Sequence, residues 1–360
     1  MIRGADAATV RRALESGDPL PGTNGFAGHL DDTLVRDVLG RQPVFGTPND
    51  WGFHPEDVDA AAPTPVPAGH VRERDGDDVT DRRVWSLPDP PVAGADAVEA
   101  LRDAVGDSLA SLDSDGLAVA FSGGVDSAVV ASGVPDAPCY VAGFEGSHDV
   151  AAAREAAAAM NRDLSVVELT HEALERAVPE IVAALGRTNP MDVQIVLPLY
   201  LLAERVAEDG YDRLAVGQGA DELFGGYAKV QKAPDDPRVE AETVRGAARE
   251  LILTLPDQLE RDLLVLRAAG VEPVAPLLHD RVVAAALPLP GALLVDGDRR
   301  KVALREAASG VLPESVAEAD KKAVQYGTYA SRELDRLARR AGFKRRMENH
   351  VEQYVESLVE

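Results

Sequence analysis

The stretch that decides the fold is "AVAFSGGVDSAVVA", Ala118 to Ala131. An apolar run leads into two adjacent glycines flanked by hydroxyl and carboxylate side chains, and apolar residues then resume. The run "GLAVAF" reads as a short buried strand, and the residues after Gly124 read as the start of a helix. In an open parallel sheet, ligands bind beyond the carboxyl ends of the strands, and Phe121 ends this one. Glycines at that place let backbone N–H groups come close to an anion, and the helix start adds a favourable dipole. Ser122 and Ser127 can donate to phosphate oxygens. Asp126, when ionised, only accepts, so its place beside phosphate makes sense if it holds a Mg²⁺ that holds the phosphate. The pattern GxxxxGK[ST] is absent and no lysine falls between residues 1 and 228, so this is not the usual cradle for attack at a γ-phosphate.

Working outward, helical and strand patterns alternate. "ADAVEALRDAVGDSLASL" has apolar residues at helical spacing. "PCYVAGF", "DLSVVEL" and "YDRLAVG" read as further strands, and "DVAAAREAAAAMN", "HEALERAVPEIVAAL" and "PLYLLAERVAEDG" as helices. Such alternation predicts a doubly wound α/β domain with a parallel sheet covered on both faces. From about Val239 onward the pattern reads as mostly helical. Upstream of residue 93 the texture differs: turn chemistry ("DPLPGTNG", "GTPNDWG", "RDGDD") alternates with short strand-like pieces such as "QPVFG" and "RRVWSL". "SLPDPPVAGAD" then reads as a linker, because its prolines cannot continue a helix or a central strand. The expected division is a small β-rich domain over 1–92 and a larger domain over 93–360.

Composition narrows the function classes. The 61 acidic against 37 basic residues give a formal net charge of −24. Nucleic-acid binding, which needs a basic face, is therefore not expected. The acidity is spread along the chain and suits a solvated surface in high salt, a halophilic character. Cys139 is the single cysteine, which rules out an intramolecular disulfide and a cysteine-based metal site. The first twenty residues lack an apolar signal core, and no apolar run reaches the ~18 residues of a membrane span. A soluble cytoplasmic protein is expected, with no membrane partner.

The segment "SGGVDS" resembles the pyrophosphate loop of the adenine-nucleotide α-hydrolase superfamily, or PP-loop ATP pyrophosphatases, which cleave ATP to AMP and pyrophosphate. A second segment, "GQGADELFGGY" over Gly217–Tyr227, resembles the GEGADELFGGY signature of the asparagine synthetase family. Weaker likeness runs through "LERDLLVLRAAGVEPVAPLLHDRVVAAALPLP" and "KVALREAASGVLPESVAEADKKAVQYG". The resemblance implies a PP-loop synthetase domain that adenylates a carboxylate, aspartate foremost, and makes an amide with ammonia. It implies ATP held by Phe121, Ser122, Gly123, Gly124, Val125, Ser127, Val141, Gly143, Gly217 and Gly219, with Mg²⁺ on Asp126 and Asp221. Lys321, eight residues after Pro313, would add a cation at the pyrophosphate, and Gln218 stands in the catalytic signature. A homodimer is a further implication.

Two departures from the family pattern bear on mechanism. "LVRDVLGRQPVF" and "PVPAGHVRERDG" with "RRVWSL" resemble the later part of the family's glutaminase domain, yet the chain opens Met1-Ile2-Arg3 where that domain opens with its nucleophilic cysteine. Nitrogen is then expected from free ammonia or from a separate glutaminase. The signature's glutamate, which by resemblance assists deprotonation of ammonia, is Gln218 here, and an amide takes no proton at neutral pH. Three readings stay open: an asparagine-forming ligase, a relative that adenylates another carboxylate for another nucleophile, and a nucleotide-binding subunit without turnover. Asp149, Asp192 and Glu222 stay ambiguous, Asp149 as a helix cap and Glu222 as a structural part of the signature.

Overall fold

A computed structural model describes residues 1–60, 63–76, 78–232, 243–319, 326–344 and 349–359. It divides into two compact units. One comprises Met1–Leu112, Gly217–Glu260 and Ala275–Val311, the other Asp113–Val216, Arg261–Val274 and Leu312–Glu360.

The first unit opens with β1 (Ile2–Arg3) and α1 (Ala7–Ser16), whose N-cap Asp6 accepts from the Thr9 amide and whose chain turns off at Gly17 with φ 70°. Then follow β2 (Ala27–Leu30), β3 (Thr33–Arg36), the hairpin of β4 (Phe45–Thr47) and β5 (Asp50–Gly52), β6 (His70–Asp75) and β7 (Asp78–Arg83). Strands β1-β2-β3-β6-β7 pair antiparallel in that order. Ala27, Leu34, Val44 and Val66 form a buried cluster of this region. The outer strand β7 reads Asp-Val-Thr-Asp-Arg-Arg and is exposed throughout, the polar edge that keeps a sheet from pairing onward. "RRVWSL" is only partly strand: β7 ends at Arg83, and Trp85 is buried edge-on against Phe26 with its indole N–H donating to Ala13 O. Helix α2 (Ala97–Ala110) buries Ala97, Leu101, Val105, Ser108 and Leu109, the single face that its period predicts.

The second unit carries the parallel sheet. Its strands are β8 (Leu117–Ala120), β9 (Cys139–Gly143), β10 (Leu164–Glu168), β11 (Arg213–Ala215) and β12 (Glu272–Val274). They lie in the order β10-β9-β8-β11-β12, all parallel, with Arg213–Ala215 paired to Leu117–Val119 on one side and to Glu272–Val274 on the other. Counted in chain order this is 3-2-1-4-5, so the winding reverses between β8 and β11, the switch point at which open α/β sheets bind ligands. The intervening helices are α3 (Val125–Gly133), α4 (His148–Ala159), α5 (His171–Leu185) and α6 (Pro190–Glu208). Helices Tyr326–Arg340 and His350–Val359 pack on α6 and α5, forming the expected helical C-terminal part.

Two elements correct the reading of the region beyond Val239 as mostly helical. β12 is a three-residue edge strand containing Pro273, too short and too proline-marked to read as one. It is tolerated because β11 covers only one of its sides. Val295–Asp296 and Arg299–Arg300 form a hairpin across Gly297 (φ 56°) and Asp298. Among the described residues no helix is long and apolar enough to cross a membrane.

Candidate active site

In the second unit the 121–127 segment leaves the carboxyl end of β8 and enters α3. Phe121 is buried and Ser122 exposed, so the chain surfaces within one residue. Gly123 has φ 78°, and a Cβ there would meet Ala152 O at 2.8 Å and Ala153 Cα at 2.9 Å, the backbone of α4. Only glycine lets the turn lie this close to that helix. Gly124 is the N-cap residue of α3 and contributes no side chain to the cap. Ser127, 5% exposed, donates its hydroxyl to Gly124 O at 3.1 Å and accepts the Ser122 amide at 3.2 Å, and its Oγ lies 3.3 Å from Ser122 Oγ. The two hydroxyls thus brace the turn, Ser127 from its buried side. Val125 is buried, and the half-buried Asp126 occupies the first helical turn.

On the neighbouring strand β9, Val141 and Gly143 are fully buried. A Cβ on Gly143 would fall 2.5 Å from Val150 Cγ2 and 2.8 Å from Ser147 Oγ, so this glycine brings the strand end against the start of α4. Ser147, not Asp149, caps that helix by accepting the Val150 amide. Asp149 sits inside the first turn, where burial raises its carboxyl above the ordinary value. Asp192 is tied into ion pairs with Arg187 (2.8 Å) and Arg261 (3.7 Å), a structural role.

The signature segment lies in the first unit and follows directly on β11, the neighbour of β8. Gly217 and Gln218 are half-buried, and Gly219, at φ 85°, starts the four-residue α7 (Ala220–Leu223). Leu278 fills the space that a side chain on Gly219 would need. Glu222 is 3% exposed and accepts the Tyr227 hydroxyl at 2.7 Å. Burial raises its carboxyl above the ordinary value against the opposing pull of that hydrogen bond. Asp221 Oδ1 lies 2.6 Å from Lys301 Nζ, with side-chain exposures of 21% and 4%. Gly226 packs flat against this pair, since a Cβ there would overlap Asp221.

Lys301 is a candidate site residue, by its contact with Asp221, that the sequence reading missed. It is one of six lysines in the chain, and that scarcity was the signal available. Its backbone adopts φ 58°, uncommon for a residue with a side chain, at the start of helix Val302–Ala307. Lys321, expected at the pyrophosphate, lies outside the described residues. Cys139 is fully buried in β9, and burial pushes its thiol up despite nearby Arg162, so it is no candidate nucleophile.

Asp126 and Asp221 belong to different units, and each is a half-buried carboxylate. Both offer hard oxygen donors, and no cluster of three or more His, Cys, Asp or Glu able to hold a metal occurs among the described residues. Mg²⁺ is commonly held by one or two carboxylates together with substrate phosphates and water, not by an all-protein cage.

Comparison with known proteins agrees with these observations. The asparagine synthase family model matches residues 97–264 and 235–357. A Methanocaldococcus jannaschii protein provisionally described as a glutamine-hydrolysing asparagine synthetase is 29% identical over 297 residues, 72% of this chain and 54% of that one. Asparagine synthetase B, glutamine-hydrolysing, of Escherichia coli is 28% identical over 239 residues, 60% of this chain and 42% of that one. An Arabidopsis thaliana asparagine synthetase is 28% identical over 141 residues, 35% of this chain and 24% of that one. The chain therefore spans about half the length, or less, of these curated relatives. With the family model covering most of the chain and both signature segments standing on the glycine geometry described above, the chain belongs to the asparagine synthase family.

Proposed function

We propose that this chain is an ATP-dependent ligase that adenylates the side-chain carboxylate of aspartate and forms asparagine from ammonia. The observation that carries it is the Ser122–Ser127 turn at the switch point: a glycine-pressed loop, braced by two hydroxyls, that opens a helix. Amide donors at that helix start hold the pyrophosphate portion of ATP, leaving the α-phosphorus to the nucleophile. The aspartate oxygen attacks phosphorus, the bond to the bridging oxygen breaks, and pyrophosphate leaves with the electron pair. Ammonia then adds to the acyl carbon, and AMP departs.

Asp126 and Asp221 would hold Mg²⁺, which when bound neutralises charge on the leaving pyrophosphate. Lys301, paired with Asp221 at 2.6 Å, fixes that carboxylate in orientation. Lys321 adds a second cation at the pyrophosphate. Gln218 orients the incoming nucleophile through its amide oxygen, and the surplus proton passes to water. Ammonia arrives free or from a separate glutaminase, because the one thiol of this chain is buried in a strand.

The test is product analysis with Mg-ATP, aspartate and either nitrogen-15 ammonium or amide-labelled glutamine. The proposal expects labelled asparagine from ammonium and none from glutamine. Asparagine labelled from glutamine by the pure chain would overturn the nitrogen assignment, and AMP formed only with a different carboxylate would overturn aspartate as substrate.

A further inference from the structure

The antiparallel sheet has no place in the chemistry above, yet it belongs to the same compact unit as the signature segment. The connection is a buried charge cluster. Arg41, 4% exposed, sends Nε to Asp37 Oδ1 at 2.8 Å, pairs through Nη2 with Asp280 Oδ1 at 2.7 Å, and donates Nη1 to Leu278 O at 2.7 Å. Asp280 Oδ2 in turn accepts the Gly22 amide (3.0 Å), the Thr23 amide (2.7 Å) and the Thr23 hydroxyl (3.1 Å). Gly25, at φ 93°, leaves the room that the Arg41 side chain occupies. Burial opposes the charge on Arg41, and Asp37 with Asp280 outweighs it, holding the guanidinium above its ordinary value. The residue whose carbonyl Arg41 grips, Leu278, is the one whose side chain lies against Gly219, beside Gln218.

We infer that Arg41 is a positioning residue: through Leu278 it fixes the backbone at Gln218–Gly219, and the antiparallel sheet serves as the foundation of the signature loop. What that loop does rests on the proposed function; that it is held this way rests on the contacts alone. A buried arginine held by two directed hydrogen bonds and an ion pair cannot rotate away, so the Leu278 carbonyl it grips is held in place. Gly219 has no side chain to hold the loop by other means, so the packing of Leu278 fixes its height.

The test is hydrogen exchange on the full chain for Arg41→Lys, which keeps charge but cannot reach all three acceptors, and for Leu278→Ala, which leaves the charge cluster intact. Peptides covering residues 217–224 should exchange about tenfold faster in both variants, while peptides covering Leu117–Ala120 keep their wild-type rates. With turnover measured alongside, kcat should fall at least about tenfold and the KM for ATP stay within about twofold. Unchanged protection at 217–224 in both variants, or a uniform loss across both units, would overturn the inference. Absence of wild-type turnover would contradict the proposed function only, since the exchange rates decide the positioning role by themselves.

Discussion

Gly123→Ala probes the cradle at its tightest point. The new methyl carbon would be placed 2.8 Å from Ala152 O and 2.9 Å from Ala153 Cα. Both are backbone atoms of α4, so neither can swing aside as a side-chain tip could. A left-handed backbone costs a residue with a Cβ about 1–2 kcal/mol. Overpacking adds about 1–3 kcal/mol, giving roughly 2–5 kcal/mol in all. For a unit of this size each kcal/mol lowers the melting temperature by about 2–4 °C, so calorimetry should show a fall of at least about 4 °C. Relief of the clash would lift the loop from α4, and nucleotide affinity should drop at least about tenfold. Gly124→Ala is the control: φ there is −81° and the nearest atom to a new Cβ is Ser122 Oγ at 3.5 Å, so the loss should stay within about 1 kcal/mol. A Gly123→Ala protein that melts and binds ATP like wild type would refute the close-approach reasoning.

Other outcomes follow from the same geometry. Asp126→Ala and Asp221→Ala should each abolish pyrophosphate release with circular dichroism unchanged; turnover retained in both would remove the two carboxylates from the chemistry. Gln218→Glu should raise the ammonia-dependent rate, because a carboxylate can take the proton that an amide cannot. A flat or lower rate would point to a different nucleophile. Burial raises the Glu222 pKa above 4.5, so the folded chain binds that proton more tightly than the unfolded one. This stability contribution is complete at low pH and is lost as pH rises from the unfolded value through the raised folded one. Glu222→Gln should therefore gain on wild type in melting temperature as pH is raised above the ordinary glutamate value of 4.5, and parallel melting curves would contradict the burial argument.

Much of the parallel-sheet unit was legible because its signals are local. Helix α5 begins at His171 and ends at Leu185 as read: Thr170 caps it, apolar residues recur on one face, and Gly186 at φ 65° stops it. The strands β8, β9 and β10 stood out as short apolar runs between helices. β12 was not legible, because three residues with a central proline carry no period and depend on β11 for their shape. The glycines of the two signature segments were legible as motifs, whereas the reason for each, α4 behind Gly123 and Leu278 above Gly219, exists only in the folded chain. Lys301 was missed because its partner Asp221 is 80 positions away, and Arg41 because Leu278 is 237 positions away. Pairings over such separations leave no mark in a single sequence.

The proposed chemistry turns on attack of a carboxylate on the α-phosphorus. Its most direct measurement uses aspartate with oxygen-18 in the side-chain carboxylate, together with Mg-ATP and ammonia in high salt, and mass analysis of the nucleotide products. Adenylation of the side-chain carboxylate predicts AMP carrying one oxygen-18 atom, formed in step with asparagine and pyrophosphate. ADP with labelled inorganic phosphate, or AMP free of label beside labelled asparagine, would contradict it.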